Sequence, residues 1–252
     1  MRILILSDIH SNLEALDAVL AAAPACDAVW NLGDVVGYGA NPNEVIDRAR
    51  PLGSVFVRGN HDKVCSGAAG IEDFNPIAGR AAKWTRCVLT AEHSDWLRHM
   101  AQGPIMPDGP QVSCMHGSPL NEDEYLLTVR DAWLPLTTTR TRINFFGHTH
   151  MQGAFATNGE EWFRITPQYH ARGADEFEMP LRESGRYLIN PGSVGQPRDG
   201  DWRAAFAVYE TADNGAQRVI FHRVPYDVKQ AQERIRRAGL PDRLASRLKD
   251  GR

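Results

Sequence analysis

The stretch Arg2-Ile3-Leu4-Ile5-Leu6-Ser7-Asp8-Ile9-His10-Ser11-Asn12 sets the plan of the chain. Its aliphatic run shows no polar alternation, the pattern of a buried strand over Arg2 to Leu6. Ser11 and Asn12 then offer a helix N-cap. Leu13, Leu16, Val19 and Leu20 recur at helical spacing, so a helix is expected from Leu13 to Ala23. Asp8 and His10 thereby fall in the turn at the carboxyl end of a strand, the edge where open α/β sheets bind ligands. Asp8 could serve only as a cap, but Ser11 and Asn12 are better placed for that.

Two more units repeat the plan. A strand over Asp27–Leu32 ends in Gly33-Asp34, and Asn41-Pro42 starts the next helix as N-cap and first helical residue. A strand over Gly53–Val57 ends in Arg58-Gly59-Asn60-His61-Asp62. Further on, a strand over Gln111–Met115 delivers His116-Gly117. Ile143–Phe146 leads into Gly147-His148-Thr149-His150. Histidines at i and i+2 cannot share a helix face, but at a loop mouth their rings can diverge toward two nearby points. A site with two metal ions ~3.5–4 Å apart needs that from one short segment. Alone, the Gly-His-x-His run also fits a solvated loop. Polar residues that recur only at strand ends belong to a site.

Between these motifs, residues 71–100 read as helical, with Trp84 and Trp96 toward the core and His93 and His99 as ordinary histidines. Residues 104–110 are a turn-rich break, and 121–139 are helical in part, with Glu122, Asp123 and Glu124 at the positive end of that helix. Past Met151 come short strand-like runs at 153–156, 160–165, 186–190, 204–209 and 217–223. Pro191-Gly192 and Asn214-Gly215 are expected to turn hairpins, so that this half supplies a second sheet packed on the first. Residues 225–238 and 240–249 are arginine-rich closing helices with one solvated face. Residues 157–186 could form a partial lid or ordinary hairpins. No repeat or linker interrupts the chain, which is expected to be one domain over 1–252.

A net charge of −3 provides no general field for nucleic acid or an anionic membrane, so a nucleotide would have to be held locally. Cys26, Cys65, Cys87 and Cys114 lack C-x-x-C spacing, which suits thiols in a reducing cytosol. Neither a signal peptide nor a run of about 20 apolar residues is present, and a cytoplasmic location is expected.

Asp8, His10, Asp34, Asn60, His116, His148 and His150, with His61 beside them, make a mixed N/O donor set that suits Mn, Fe, Zn or Ni. The absence of cysteine ligands argues against a structural zinc site. D-x-H, G-D, G-N-H-D, H-G and G-H-x-H in this order resemble the motifs of the calcineurin-like metallophosphoesterase superfamily, across residues 2–150. Asn190-Pro191-Gly192-Ser193-Val194-Gly195-Gln196-Pro197-Arg198 resembles a run common in its small bacterial members. The resemblance implies a four-layer α/β/β/α sandwich of two mixed sheets flanked by helices. It further implies two divalent ions, manganese first. Asp8, His10 and His150 would hold one, Asn60, His116 and His148 the other, with Asp34 bridging. Hydroxide activated by the ions would attack phosphorus in line, and His61 would meet the substrate or protonate the leaving oxygen.

The superfamily's protein phosphatases carry G-D-x-x-D-R-G, whereas this chain has Gly33-Asp34-Val35-Val36-Gly37-Tyr38-Gly39. The aspartate that would partner the catalytic histidine and the phosphate-binding arginine are both missing. The proton-donor role of His61 is thereby put in question, and Arg58 and Arg198 become the candidate phosphate contacts. A phosphodiesterase acting on small or nucleotide substrates is the expected function. Alternatives are a dinucleoside-polyphosphate hydrolase, a phosphomonoesterase or a metal-stabilised scaffold module. Tyr38, Tyr125 and Trp202 are candidates for stacking a base, each with simple packing as the plainer reading.

Overall fold

The computed structural model describes residues 1–107 and 111–252, so part of the break expected at 104–110 lies outside the described residues. In the first half, β1 (Arg2–Leu6), α1 (Leu13–Ala22), β2 (Ala28–Asn31), α2 (Pro42–Ala49) and β3 (Val55–Phe56) follow the alternation read from the sequence. Asn12 caps α1 by accepting the Ala15 N–H at 3.2 Å, while Asn41 occupies the cap position of α2 without a side-chain bond. A short helix α3 (Asn60–Cys65) begins at Asn60, and α4 (Pro76–Val88) and α5 (Ala91–Arg98) occupy the stretch read as helical. Six residues with no apolar period gave α3 no sequence signal.

Next come β4 (Val112–Cys114), α6 (Val129–Thr138), β5 (Ile143–Phe145), β6 (Gly153–Thr157), β7 (Trp162–Ile165), β8 (Asp175–Leu181), β9 (Arg186–Asn190), β10 (Ala204–Thr211) and β11 (Gln217–Val224). The helices α7 (Val228–Arg237) and α8 (Asp242–Ser246) and a 3-10 turn at Arg247–Asp250 end the described chain. The sheets run β3-β2-β1-β10-β11-β8 and β4-β5-β9-β6-β7. Pairing is parallel across β3-β2-β1 and β4-β5-β9, and antiparallel elsewhere.

Three expectations are corrected. The second half does not make a sheet of its own: β8, β10 and β11 extend the sheet begun by β1, and β4 and β5 from the first half join the other. Pro191-Gly192 is no hairpin, because β9 and β10 lie in different sheets; Asn158-Gly159 turns one instead, between β6 and β7. The segment 157–186 contributes β7 and β8 to sheet edges. β8, an edge strand with alternating acids and Pro180, lacked the apolar pattern that identified its neighbours.

Strand alternation explains the layers. Ile3 and Ile5 of β1 face inward with Trp30, Phe221 and Tyr209, against Val112, Ile143, Phe145 and Ile189 of the other sheet. Leu4 and Leu6 face outward onto Leu16, Val45, Ala81, Leu97, Ile235 and Leu244 of the helices. On the far side, Ala132 and Leu136 of α6 cover Phe155 and Leu188. The result is the helix–sheet–sheet–helix stack. Each fully buried aliphatic side chain contributes about 1.5–3 kcal/mol. Among the described residues no helix is long and apolar enough to cross a membrane.

Candidate metal centre

The sequence-predicted metal ligands come together at the carboxyl ends of the parallel strands. Asp8 and His10 follow β1, Asp34 follows β2, Asn60 follows β3, His116 follows β4, and His148 and His150 follow β5. The turns that hold them are unusual. Every non-glycine residue with positive φ among those described belongs to this region: Asp8 (52°), His10 (49°), Ser11 (53°), Asp34 (54°), Tyr38 (60°), His148 (64°) and His150 (59°). A left-handed L-residue costs on the order of 1–3 kcal/mol and persists only where its surroundings enforce it.

The enforcement is visible. Backbone bonds from Asp8 to Gly33, His10 to Asp34 and Ser11 to Val35, each 3.0 Å, tie the first two turns together. The buried Asp62 carboxylate accepts N–H bonds from Asp34 (2.8 Å), Gly59 (2.9 Å) and Val36 (3.2 Å). Burial and the Asp34 charge push its pKa up to about 7, against the pull of those N–H groups. The Asn190 amide donates to the Gly147 carbonyl (2.8 Å) and Thr149 Oγ1 (3.0 Å), and Ser193 Oγ donates to the Asp8 carbonyl (2.8 Å). Asp62, Asn190 and Ser193 received no role from the sequence. A side chain that serves loop backbone rather than a ligand leaves no type-specific signal.

The four histidines share one arrangement. His10 Nδ1 donates to the Val36 carbonyl (3.1 Å), His150 Nδ1 to Gln196 (2.6 Å), His116 Nδ1 to Leu32 (2.8 Å) and His148 Nε2 to Asp123 (3.1 Å). A carbonyl only accepts, so each bond fixes a proton on the outer nitrogen and turns the inner nitrogen toward the cluster. Those inner nitrogens converge in pairs: His10 Nε2 and His150 Nε2 at 3.1 Å, and His116 Nε2 and His148 Nδ1 at 3.1 Å. Two facing lone pairs repel unless a cation or a proton lies between them.

Carboxylates complete the set. Asp34 Oδ2 lies 3.5 Å from His10 Nε2 and 3.4 Å from His116 Nε2, so it belongs to both pairs. Asp8 Oδ1 lies 3.5 Å from His150 Nε2, Asp8 Oδ2 is buried with no partner, and Asn60 Oδ1 is 3.3 Å from His116 Nε2. Ligand atoms of Asp8, His10, Asp34 and His150 all lie within 4.8 Å of one another, as do those of Asp34, His116 and His148. The orphaned oxygen, the shared carboxylate and the inward lone pairs fit two adjacent divalent cations.

Electrostatics agree. Burial lowers His10 and His150 well below the usual imidazole range and His148 to about 3, so these three are neutral donors. Burial pushes Asp8 up to about 7. Burial also disfavours charge on His116 and on Asp34, but their mutual attraction prevails: His116 stands at about 10 and Asp34 well below the carboxylate range.

His61 stands beside the set, edge-on to His10 at 4.8 Å and tilted against Tyr38 at 4.3 Å, with Nδ1 unpartnered. Burial lowers it to about 4, so its imidazole is neutral. A cleft of about 360 Å³ lined by Tyr38, Asn60, His61, Asp123, Tyr125 and His148 opens onto it. A larger hollow of about 640 Å³ lies elsewhere, among paired charges such as Arg218 and Glu210. Arg58 is committed to Glu122 by two 3.0 Å bonds and to Gln102. The acidic run is not at a helix start, because α6 begins at Val129: Glu122 and Asp123 pair with Lys63, and Glu124 accepts from Ser118. Tyr125 stacks on His148 at 3.9 Å, and Trp202 packs on Tyr226. Arg198 reaches Tyr38 Oη at 3.4 Å, and Arg247, from the closing 3-10 turn, lies over the same ring. The sequence reading passed over Arg247.

The chain matches the model of the calcineurin-like phosphoesterase superfamily domain over residues 1–214. An uncharacterized protein of Methanocaldococcus jannaschii is 36% identical over 260 residues, covering 99% of this chain and 98% of its own length. The crystal structure of a metallophosphoesterase from Sphaerobacter thermophilus superposes with a TM-score of 0.86 at 41% identity, over 100% of this chain and 99% of that one. A hypothetical protein from Pyrococcus horikoshii shares the fold, with a TM-score of 0.75 at 19% identity over 100% and 98% of the two chains. With five strand-end motifs meeting in one buried cluster, the chain belongs to the calcineurin-like phosphoesterase superfamily.

Proposed function

We propose that this protein is a dinuclear metal-dependent phosphodiesterase acting on small or nucleotide phosphoesters. The observation that carries the reading is the pairing of inward lone pairs around Asp34 Oδ2, which belongs to both histidine pairs. Asp8, His10 and His150 would hold one cation, and Asn60, His116 and His148 the other, with Asp34 between. Manganese is the first choice for this N/O set, and iron, zinc or nickel also suit it. Two such cations supply Lewis acidity, drawing down the pKa of water and offsetting charge on phosphoryl oxygens.

The protein's own residues do the rest. The carbonyls of Val36, Gln196, Leu32 and Asp123 hold each imidazole in one orientation, so no reorganisation is needed when substrate arrives. His61 would meet the substrate. A neutral imidazole with a pKa near 4 suits hydrogen-bond donation to a phosphoryl or leaving oxygen rather than full proton transfer. Arg58, bound to Glu122, braces the Asn60 turn, and Arg198 faces the substrate side. Cysteines without C-x-x-C spacing accord with a cytoplasmic setting, and the net charge of −3 accords with small-molecule substrates and no sequence-specific nucleic-acid binding.

The test combines metal titration with turnover. Calorimetry with Mn²⁺ should give two equivalents per chain, and Asp34→Asn should lose at least one of them. Turnover of bis-p-nitrophenyl phosphate should exceed that of p-nitrophenyl phosphate and fall on the order of 10²–10³-fold in Asp34→Asn. A diadenosine polyphosphate in the same panel ranks the dinucleoside hydrolase against the simpler diesterase. Folded, metal-loaded protein that turns over none of these would leave the scaffold reading in place.

A further inference from the structure

The Tyr38 side of the centre is covered by residues that the ligand set does not use. Two guanidinium groups from distant parts of the chain stand over the Tyr38 ring, Arg198 at 5.8 Å and Arg247 at 4.6 Å from its centroid. The same ring packs at 4.6 Å on His10 and 4.3 Å on His61. Arg198 is also near enough to Asp8, His10, His61 and His150 for its charge to act on all four, and Arg247 acts on His61. Both arginines thus lie beside the centre, against the ring that packs on His10 and His61.

Their bonding is incomplete. Arg198 Nη2 makes long contacts, 3.4 Å each, to Tyr38 Oη and Gln196 Oε1, Arg198 also bonds the Tyr125 side chain, and Arg247 donates to the same Gln196 oxygen. The Nε of each is buried and unpartnered, and among the described residues no carboxylate pairs with either. Other partly buried arginines are matched more fully: Arg203 pairs with Asp201, Arg223 with Asp199 and Arg58 with Glu122, while Arg186 donates its Nε and Nη2 to main-chain carbonyls. Two adjacent, partly desolvated like charges repel each other, and an anion is what relieves the repulsion. Guanidinium forks match phosphate oxygens in geometry as well as charge.

The pair is held as a unit. Leu248 anchors the 3-10 turn at 3% exposure, and Gly200 N–H donates to the Gly251 carbonyl at 3.0 Å. Gly251 takes a left-handed φ of 61°, and a Cβ there would lie 2.7 Å from the Asp201 backbone. The closing turn is thereby locked to the loop that carries Arg198.

We propose that Arg198 and Arg247 form a two-guanidinium subsite for a second phosphoryl group, so that the substrate is a small molecule carrying two or more linked phosphates. This rests on the metal-dependent hydrolase reading above and, among its alternatives, favours the dinucleoside-polyphosphate type, whose scissile bond is a phosphoanhydride. Water would add to the phosphorus over the centre and the bridging P–O bond would break. Its electron pair would leave on the phosphate held by the arginines, and the water's proton would pass to solvent. No further reactant is required.

The probes are inorganic phosphate and imidodiphosphate, whose P–N–P bridge resists hydrolysis. Each is titrated by calorimetry into the manganese-loaded full chain, with manganese in excess over the probe. Imidodiphosphate should bind at least about tenfold tighter than phosphate. Arg247→Gln should remove most of that preference. Gly251→Val, which keeps Arg247 but displaces its turn, should do the same, with folding checked by circular dichroism. Equal affinity for the two probes in the unaltered chain, or an unchanged preference in both variants, overturns the subsite. Failure of the phosphoesterase reading looks different: no manganese equivalents and no turnover of p-nitrophenyl esters, whatever the preference between probes.

Discussion

The parallel and antiparallel parts of the two sheets solve the problem of ending a strand in opposite ways. Where β10 meets β11, the hairpin turns through Gly215, whose φ of 84° is free of strain and has nothing within 4 Å of a would-be Cβ. At the carboxyl ends of β1, β2 and β5, the left-handed positions fall to aspartate and histidine, packed against one another and buried. One part of the molecule spends nothing on its turns and binds nothing there. The other accepts local strain, and five of the seven strained residues, Asp8, His10, Asp34, His148 and His150, are candidate ligands. The lesson is that backbone conformation, as much as residue type, separates the site from the scaffold.

That contrast can be tested at four positions. The largest expected effect is Asp62→Ala. It strips three buried N–H groups of their acceptor, so stability should fall by about 3 kcal/mol, with manganese affinity lost alongside. A melting temperature lower by about 10 °C would register it; an unchanged one would mean the strained turns stand without Asp62. Next comes the pair Gly33→Ala and Gly215→Ala. Gly33 has a φ of 99°, and its Cβ would lie 2.6 Å from the Gly59 nitrogen and 2.8 Å from His116 Nδ1. It should cost about 2 kcal/mol or more and weaken metal binding, whereas Gly215→Ala should cost about 1 kcal/mol and leave metal binding alone. Equal losses would erase the distinction between crowded and open turns.

The smallest effect concerns pH in the antiparallel part. His222 stacks on Phe206 at 4.5 Å, and burial lowers its pKa, with Glu176 and Glu210 pulling the other way. A folded pKa below the unfolded value of about 6.5 means that the neutral form contributes stability above pH 6.5, which is lost as pH falls. Between pH 7 and pH 5 the unaltered protein should therefore lose roughly 2 °C more in melting temperature than His222→Phe, which keeps the stacking. Parallel melting curves check the sign.

The sequence made the ligand-bearing turns readable because each was a short polar run closing an apolar one, as in Ser7-Asp8-Ile9-His10 after β1. The strands that failed to show were those whose pattern is set by solvent on one side: β8 alternates acids and carries a proline because it is an edge. Which sheet β10 would join was also hidden. A buried run such as Ala204–Tyr209 suits either sheet, and only its pairing with β1 decides. In the site, residue types announced the donors but not what orients them. Asp62 drew no role of its own, and Arg247 read as one more charge on a solvated closing helix. Both acquire meaning only from residues far away in the chain, Asp34 in one case and Tyr38 in the other.

The carbonyls that hold the four imidazoles belong to Leu32, Val36, Asp123 and Gln196, and they belong to the main chain of those residues. No substitution at those four positions can delete the acceptor itself. Orientation of the histidines is thus insulated from mutational drift in the side chains around them. Related chains could vary those positions widely and keep the same donor geometry, so long as the turns keep their path.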